Sequence, residues 1–214
     1  VSFGTSHLDT LDKNIGAIER ALAAALPERE LRRAFTSGMI MRKLRERDGL
    51  DIPDVARALE ALANEGFEDV LIQPSHVLNG EEFDKLCELA EPFAGKFERF
   101  ATGAPLLTEV NDYLELAAAL ISELPERRED TAIVWMGHGT GHHANAVYAM
   151  LEYVLHDLGR GDVHIGTVEG YPTIEEVVRR VREHAEAKRV LLLPLMIVAG
   201  DHAKNDLAGD EEDS

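Results

Sequence analysis

The segment WMGHGTGHHANAVY, residues 135 to 148, carries three histidines, His138, His142 and His143, within six positions, directly after the apolar run Ala132, Ile133, Val134. Imidazole titrates nearest neutral pH and ligates divalent metals, so histidines on a glycine-rich turn point to metal or proton chemistry. Two comparable places lie downstream. Glu169 follows the run DVHIGTV, and Asp201 and His202 follow LLLPLMIVAG. Two imidazoles and a carboxylate suit a borderline divalent ion such as cobalt, iron, nickel or zinc, and they leave coordination positions open. His7, His156, His164 and His184 read instead as surface or capping groups, and His142 and His143 open a helix that they can cap while bordering the site.

Such a triad requires the three runs to be neighbours, and the elements around them supply that. Short β-rich runs alternate with amphipathic helices, the pattern of a parallel sheet covered on both faces. VSFG leads to a helix over residues 10 to 26, with Ile15, Ile18, Leu22 and Leu26 on one face and Pro27 as its stop. LRRAFT follows, then a helix capped by Ser37 and ended by Gly49, and a helix from Pro53 to Gly66. EDVLIQP and KFERFAT are strands, and a helix over 109 to 124 ends at Pro125.

The polar stretch PERREDT, residues 125 to 131, marks a boundary between an N-terminal lobe, 1–126, and a C-terminal lobe, 127–214. The second lobe repeats the plan, with strand AIVWM, a helix over 142 to 158, strand DVHIGTV, a helix over 173 to 187 and strand RVLLLPLMIV. SFGTS in one half answers MGHGTG in the other, and Pro74 and Gly80 answer Pro194 and Gly200. That shared punctuation predicts two similar α/β lobes. Ligands in such sheets bind beyond the carboxyl ends of the strands, where His138, Glu169 and His202 all stand.

Composition narrows the function. A net charge of −18 opposes nucleic acid or an anionic membrane as main partner, and an anionic ligand needs a local positive pocket. The cations Arg42, Lys43, Arg45 and Arg47 of MRKLRERDG read as a solvated helix face, with the alternative that one or two hold ligand carboxylates. The single cysteine, Cys87, excludes an internal disulfide. No apolar run approaches a membrane span, and a cytoplasmic protein is expected; Val1 already stands inside a strand-like run, which leaves a preceding export signal and a periplasmic form open. GHGTGHH lacks both the phosphate-loop and dinucleotide spacings, and no G-x-S-x-G elbow is present, so nucleotide and serine-hydrolase chemistry are disfavoured.

The stretches VSFGTS, RAFTSGMIMRKLRERDG, GEEFDKL, GAPLL, MGHGTGHH, GTVEGYP and LLLPLMIVAGDHAKNDLAGDEEDS together resemble the class II chelatases, most closely the anaerobic sirohydrochlorin cobalt chelatases of cobalamin biosynthesis. The resemblance implies two flavodoxin-like lobes related by a pseudo-twofold, with a tetrapyrrole in the cleft between them. It implies ATP-independent insertion of Co2+, with Fe2+ (as in sirohaem formation) or Ni2+ as alternatives, and no nucleotide. It assigns metal binding to His138, Glu169 and His202, proton removal to His138 and His202, and assembly to a homo-oligomer. It also implies that the family pattern continues on either side of this chain. Backbone N–H groups from Gly4 to Ser6 and at Ser37 are candidate binders of the carboxylate-rich sirohydrochlorin, and His76 a candidate for the opposite wall. The same residues also admit, as lesser readings, a non-catalytic carrier of metal or tetrapyrrole and a metal-dependent hydrolase.

Overall fold

The computed structural model describes residues 1–183 and 187–198, which form two compact units, Val1–Leu106 joined by Ile197 and Val198, and Leu107–Met196. Both are α/β with parallel strands and flanking helices, as the alternation of runs predicts.

In the first unit, β1 (Asp69–Ile72) pairs in parallel with β2 (Arg99–Thr102). The expected strands VSFG and LRRAFT are shorter than a ladder. Each is an extended segment joined by a single bridge, Ser2 to Phe35, with a further bridge from Phe35 to Asp54. Ser75 N–H donates to Val1 O at 2.8 Å, which seats the first segment between Phe35 and β1. The chain turns away early because Gly4 has φ 103°, where a β-carbon would stand 2.6 Å from the Phe35 ring.

Helices α1 (Leu8–Thr10) and α2 (Gly16–Ala25) are joined by a π-helical turn, Leu11–Ile15. Helix α3 (Gly38–Asp48) starts where Ser37 Oγ accepts from Ile40 N–H and ends at Gly49 in the left-handed region, φ 68°. Helix α4 (Val55–Asn64) is capped by Asp54, and α5 is Glu81–Ala90. Val55 and Leu59 of α4 and Leu86 and Ala90 of α5 pack on Val70, Ile72 and Phe97. A second core joins Leu11, Ile15, Phe35 and Leu44. The pleat turns Leu71 away from the first core, and it lines an apolar cavity of about 420 Å³ with Ile18 and Leu22 of α2.

In the second unit, α6 (Val110–Glu123) opens with a reciprocal capping box between Glu109 and Asp112. It precedes the PERREDT stretch but packs on α7 (Val147–Asp157), which places it in this unit. Strand β3 (Thr131–Gly137) lies centrally, with β4 (Val163–Thr167) on one side and β5 (Arg189–Pro194) on the other, all parallel. Ala132, Val134 and Met136 pack on Val177 and Val181 of α8 (Ile174–Glu183). The pleat sends Ile133 and Trp135 to the opposite face, and both are buried. No helix among the described residues is long and apolar enough to cross a membrane.

Leu155 of α7 is fully buried, whereas Leu158, at the end of that helix, is 45% exposed. Leu155→Ala is expected to lower unfolding free energy by about 2–5 kcal/mol in equilibrium urea denaturation. Leu158→Ala should stay within about 0.5 kcal/mol of the parent chain.

Candidate metal centre

Register decides which residues meet beyond the sheet. Gly137 is opposite Thr167, so the residues that follow, His138 and Val168–Glu169, leave the sheet side by side. The ladder continues one step further, because Val168 N–H donates to Gly137 O at 3.0 Å and Glu169 N–H to His138 O at 2.8 Å. These bonds bring His138 Nδ1 to 3.8 Å from Glu169 Oε2, with both side chains about half exposed. Two of the three expected ligands are therefore neighbours, open to solvent at the carboxyl ends of adjacent strands. The third strand reaches the same end, since Leu195 N–H donates to Met136 O at 2.8 Å. His202 itself lies outside the described residues, as does His184.

The turn also selects the imidazole tautomer. His138 Nδ1 lies 3.0 Å from Gly139 O, and a carbonyl can only accept, so Nδ1 carries the proton and the ring lone pair falls on Nε2. An imidazole held this way presents Nε2 as a ligand to a divalent ion. Glu169 could add a carboxylate oxygen of opposite charge to such an ion.

Asn145, which the sequence reading passed over, ties the two loops together. Its side-chain oxygen accepts from Thr140 N–H at 3.1 Å, and its amide donates to Tyr171 O at 2.6 Å. Gly139, at φ 81°, lets the loops touch, because a β-carbon there would stand 2.6 Å from Gly170 N. Beneath them the Tyr148 hydroxyl accepts from Gly139 N–H at 3.3 Å, and burial pushes its pKa up. Asparagine in a helix-opening run is a common capping group, so only its partners reveal this role.

His142 caps the 3-10 turn His143–Ala146, its Nδ1 accepting from Ala144 N–H at 3.2 Å. Ser37 is likewise engaged, its N–H donating to Phe3 O at 3.2 Å while its hydroxyl caps α3. Ser6 is buried and its carbonyl accepts from Arg47, and Gly4 forms the turn beside Phe35. His76 has both ring nitrogens buried without a hydrogen-bond partner, and burial, helped by the Val1 α-amino charge, lowers its pKa to about 4.

A second histidine and carboxylate group lies in the same unit. Ligand atoms of Glu152, His156 and His164 lie within 4.8 Å of one another. Their bonds are already directed elsewhere. Glu152 Oε1 pairs with Arg180 at 2.5 Å, its Oε2 accepts from Ile165 N–H at 2.9 Å, and His156 Nε2 meets Val163 O at 2.6 Å. Burial works against the Glu152 charge, yet hydrogen bonds from His164 and the Ile165 N–H, with the Arg180 charge, leave its pKa lowered. A cation here would have to displace a guanidinium, so the group is a part-buried brace joining α7, β4 and α8.

An imidazole and a carboxylate thus stand side by side at the carboxyl ends of adjacent parallel strands in an α/β protein. The chain belongs to the cobalt chelatase (CbiK) family, whose model matches residues 1–214. It is 47% identical over 214 residues to the sirohydrochlorin cobaltochelatase of Salmonella typhimurium, covering all of this chain and 80% of that protein. It is 35% identical over 187 residues to the sirohydrochlorin cobaltochelatase CbiKC of Nitratidesulfovibrio vulgaris, covering 86% of this chain and 65% of that one.

Glu152→Ala leaves the part-buried Arg180 without its anion and the Ile165 N–H without an acceptor, and is expected to cost about 1–3 kcal/mol of stability, read from the shift in urea midpoint. His76 titrates lower in the folded chain than its ordinary 6.5, so the unfolded chain binds the extra proton first. Stability should therefore fall as pH drops from about 6.5 toward 4. His76→Phe should flatten that part of a thermal-melting pH profile.

Proposed function

We infer that this chain is a sirohydrochlorin cobaltochelatase, inserting Co2+ into sirohydrochlorin without a nucleotide in the course of cobalamin biosynthesis. The observation that carries the reading is the 3.8 Å approach of His138 to Glu169 at adjacent strand ends, in a chain that matches the cobalt chelatase family over its whole length. The names of the two relatives supply the substrate.

Insertion exchanges two pyrrole N–H protons for one Co2+. The metal must shed waters while it gains ring nitrogens, and the two protons must leave. In this proposal His138 Nε2, Glu169 and His202 hold the partly dehydrated ion, with the Glu169 charge offsetting part of its own. As the ion passes to the ring nitrogens, the lone pairs it vacates on His138 Nε2 and on His202 take up the two pyrrole protons, one each. Fe2+ and Ni2+ fit the same donor types, and supply can decide among them. The finer arrangement, two flavodoxin-like lobes related by a pseudo-twofold, belongs to the proposal. It is supported by a shared order: in the first unit the Val1–Ser2 segment lies between the Phe35 segment and the chain leaving β1, and in the second β3 lies between β4 and β5. Assembly as a homo-oligomer is part of it too.

The test follows the absorbance of sirohydrochlorin with Co2+. Wild-type chain should yield metallated product in molar excess over protein, and His138→Ala or His202→Ala should slow insertion by about 100-fold or more. Product that stops at one equivalent per chain would identify a carrier instead, and unchanged rates in both variants would remove the histidines from the chemistry.

A further inference from the structure

We propose that Met39, Arg42 and Lys43 on the outer face of α3 form the surface that receives the carboxylate-bearing rim of the tetrapyrrole. This rests on the cobaltochelatase reading and names the part of the first unit that recognises its substrate.

The argument starts from charge. A polycarboxylate macrocycle approaching a chain of net charge −18 is repelled unless cations are available to it. Most arginines of the first unit are already committed. Arg29 pairs with Asp69, Arg32 with Glu65, Arg33 with Glu19 and Arg57 with Asp51. Within α3 itself, Arg45 pairs with Asp51 and Arg47 with Asp48. Arg42 and Lys43 differ: both are exposed, and among the described residues neither takes a carboxylate. Their charges are available to a ligand without the loss of an existing ion pair.

Spacing and packing hold the two cations in one place. Positions 39, 42 and 43 are related by three and four residues, so they share a helix face. The opposite face is anchored in the core by Leu44, with Ile40 and Met41 packed against it. The outer face therefore cannot roll inward. Between its cations that face carries Met39, 74% exposed, the barest of the large apolar side chains among the described residues. A flexible, polarizable thioether beside one guanidinium and one ammonium group matches a ligand with a flat apolar ring and acidic arms.

Position agrees with this. Helix α3 begins immediately after the segment bridged at Phe35, at the carboxyl end of a parallel strand, and the Ser37 N–H bond to Phe3 O ties its start to the Gly4 turn at the end of the neighbouring strand. Parallel sheets bind ligands at that end.

The experiment titrates metal-free sirohydrochlorin into the full chain at low and high salt, reading its absorbance. The double variant Arg42→Gln with Lys43→Gln should bind about tenfold or more weakly at low salt and lose much of the salt dependence. Arg42→Lys with Lys43→Arg should retain wild-type affinity. Cobalt binding without tetrapyrrole, read by calorimetry, should be unchanged, as should sirohydrochlorin binding by a charge-matched control, Lys13→Gln with Lys188→Gln. Protoporphyrin, with fewer carboxylates, should respond less to the Arg42 and Lys43 change. Affinity and salt slope of the glutamine variant within twofold of wild type, on a parent that binds sirohydrochlorin, overturn this inference alone. A parent that does not bind the macrocycle overturns the cobaltochelatase reading and this inference with it.

Discussion

The parallel register of β3 against β4 is the constraint on which the proposed metal centre depends. A slip of one residue would move every β3 side chain to the other face of the sheet, taking Met136 away from Val177 and Val181 and turning Trp135 toward α8. The core therefore forbids the slip. Because the register is fixed there, Gly137 meets Thr167, and the two extra backbone bonds beyond that pair carry Glu169 to His138. Apolar packing several residues away thus sets the spacing of two polar groups.

The two histidine and carboxylate arrangements of the second unit divide the work differently. Glu152, Arg180, His156 and His164 turn their bonding capacity on each other and on the backbone, which joins helices to sheet and leaves little for a ligand. His138 and Glu169 are held by the backbone, and their side chains remain half exposed. Donor type alone would rank the buried group as the better metal site. Where each donor already points reverses that ranking.

Much of the fold was legible in the sequence because its signals are local. Proline and glycine stops ended the helices at Ala25, Asp48 and Glu123 as expected, and the apolar runs of β3, β4 and β5 stand where periodicity put them. The strands at VSFG and LRRAFT came out as single bridges because Gly4 and Ser37 turn the chain at once, a matter of backbone geometry that a β-rich run does not display. Helix α6 joined the second unit through its packing on α7, a contact that no local break in composition reveals. His138 and Glu169 could be found because both follow strands. Asn145 could not, since its importance lies in Thr140 and Tyr171 at the far ends of its bonds.

That crosslink has a consequence for metal choice. Asn145 fastens one loop to the other, so in the proposed centre the imidazole and the carboxylate form a jaw whose bite the crosslink sets. Donor identity ranks divalent ions by affinity alone and places cobalt behind nickel and copper. A jaw of fixed gape adds a criterion of ionic size and bond length, and it would do so through an amide that never touches the ion.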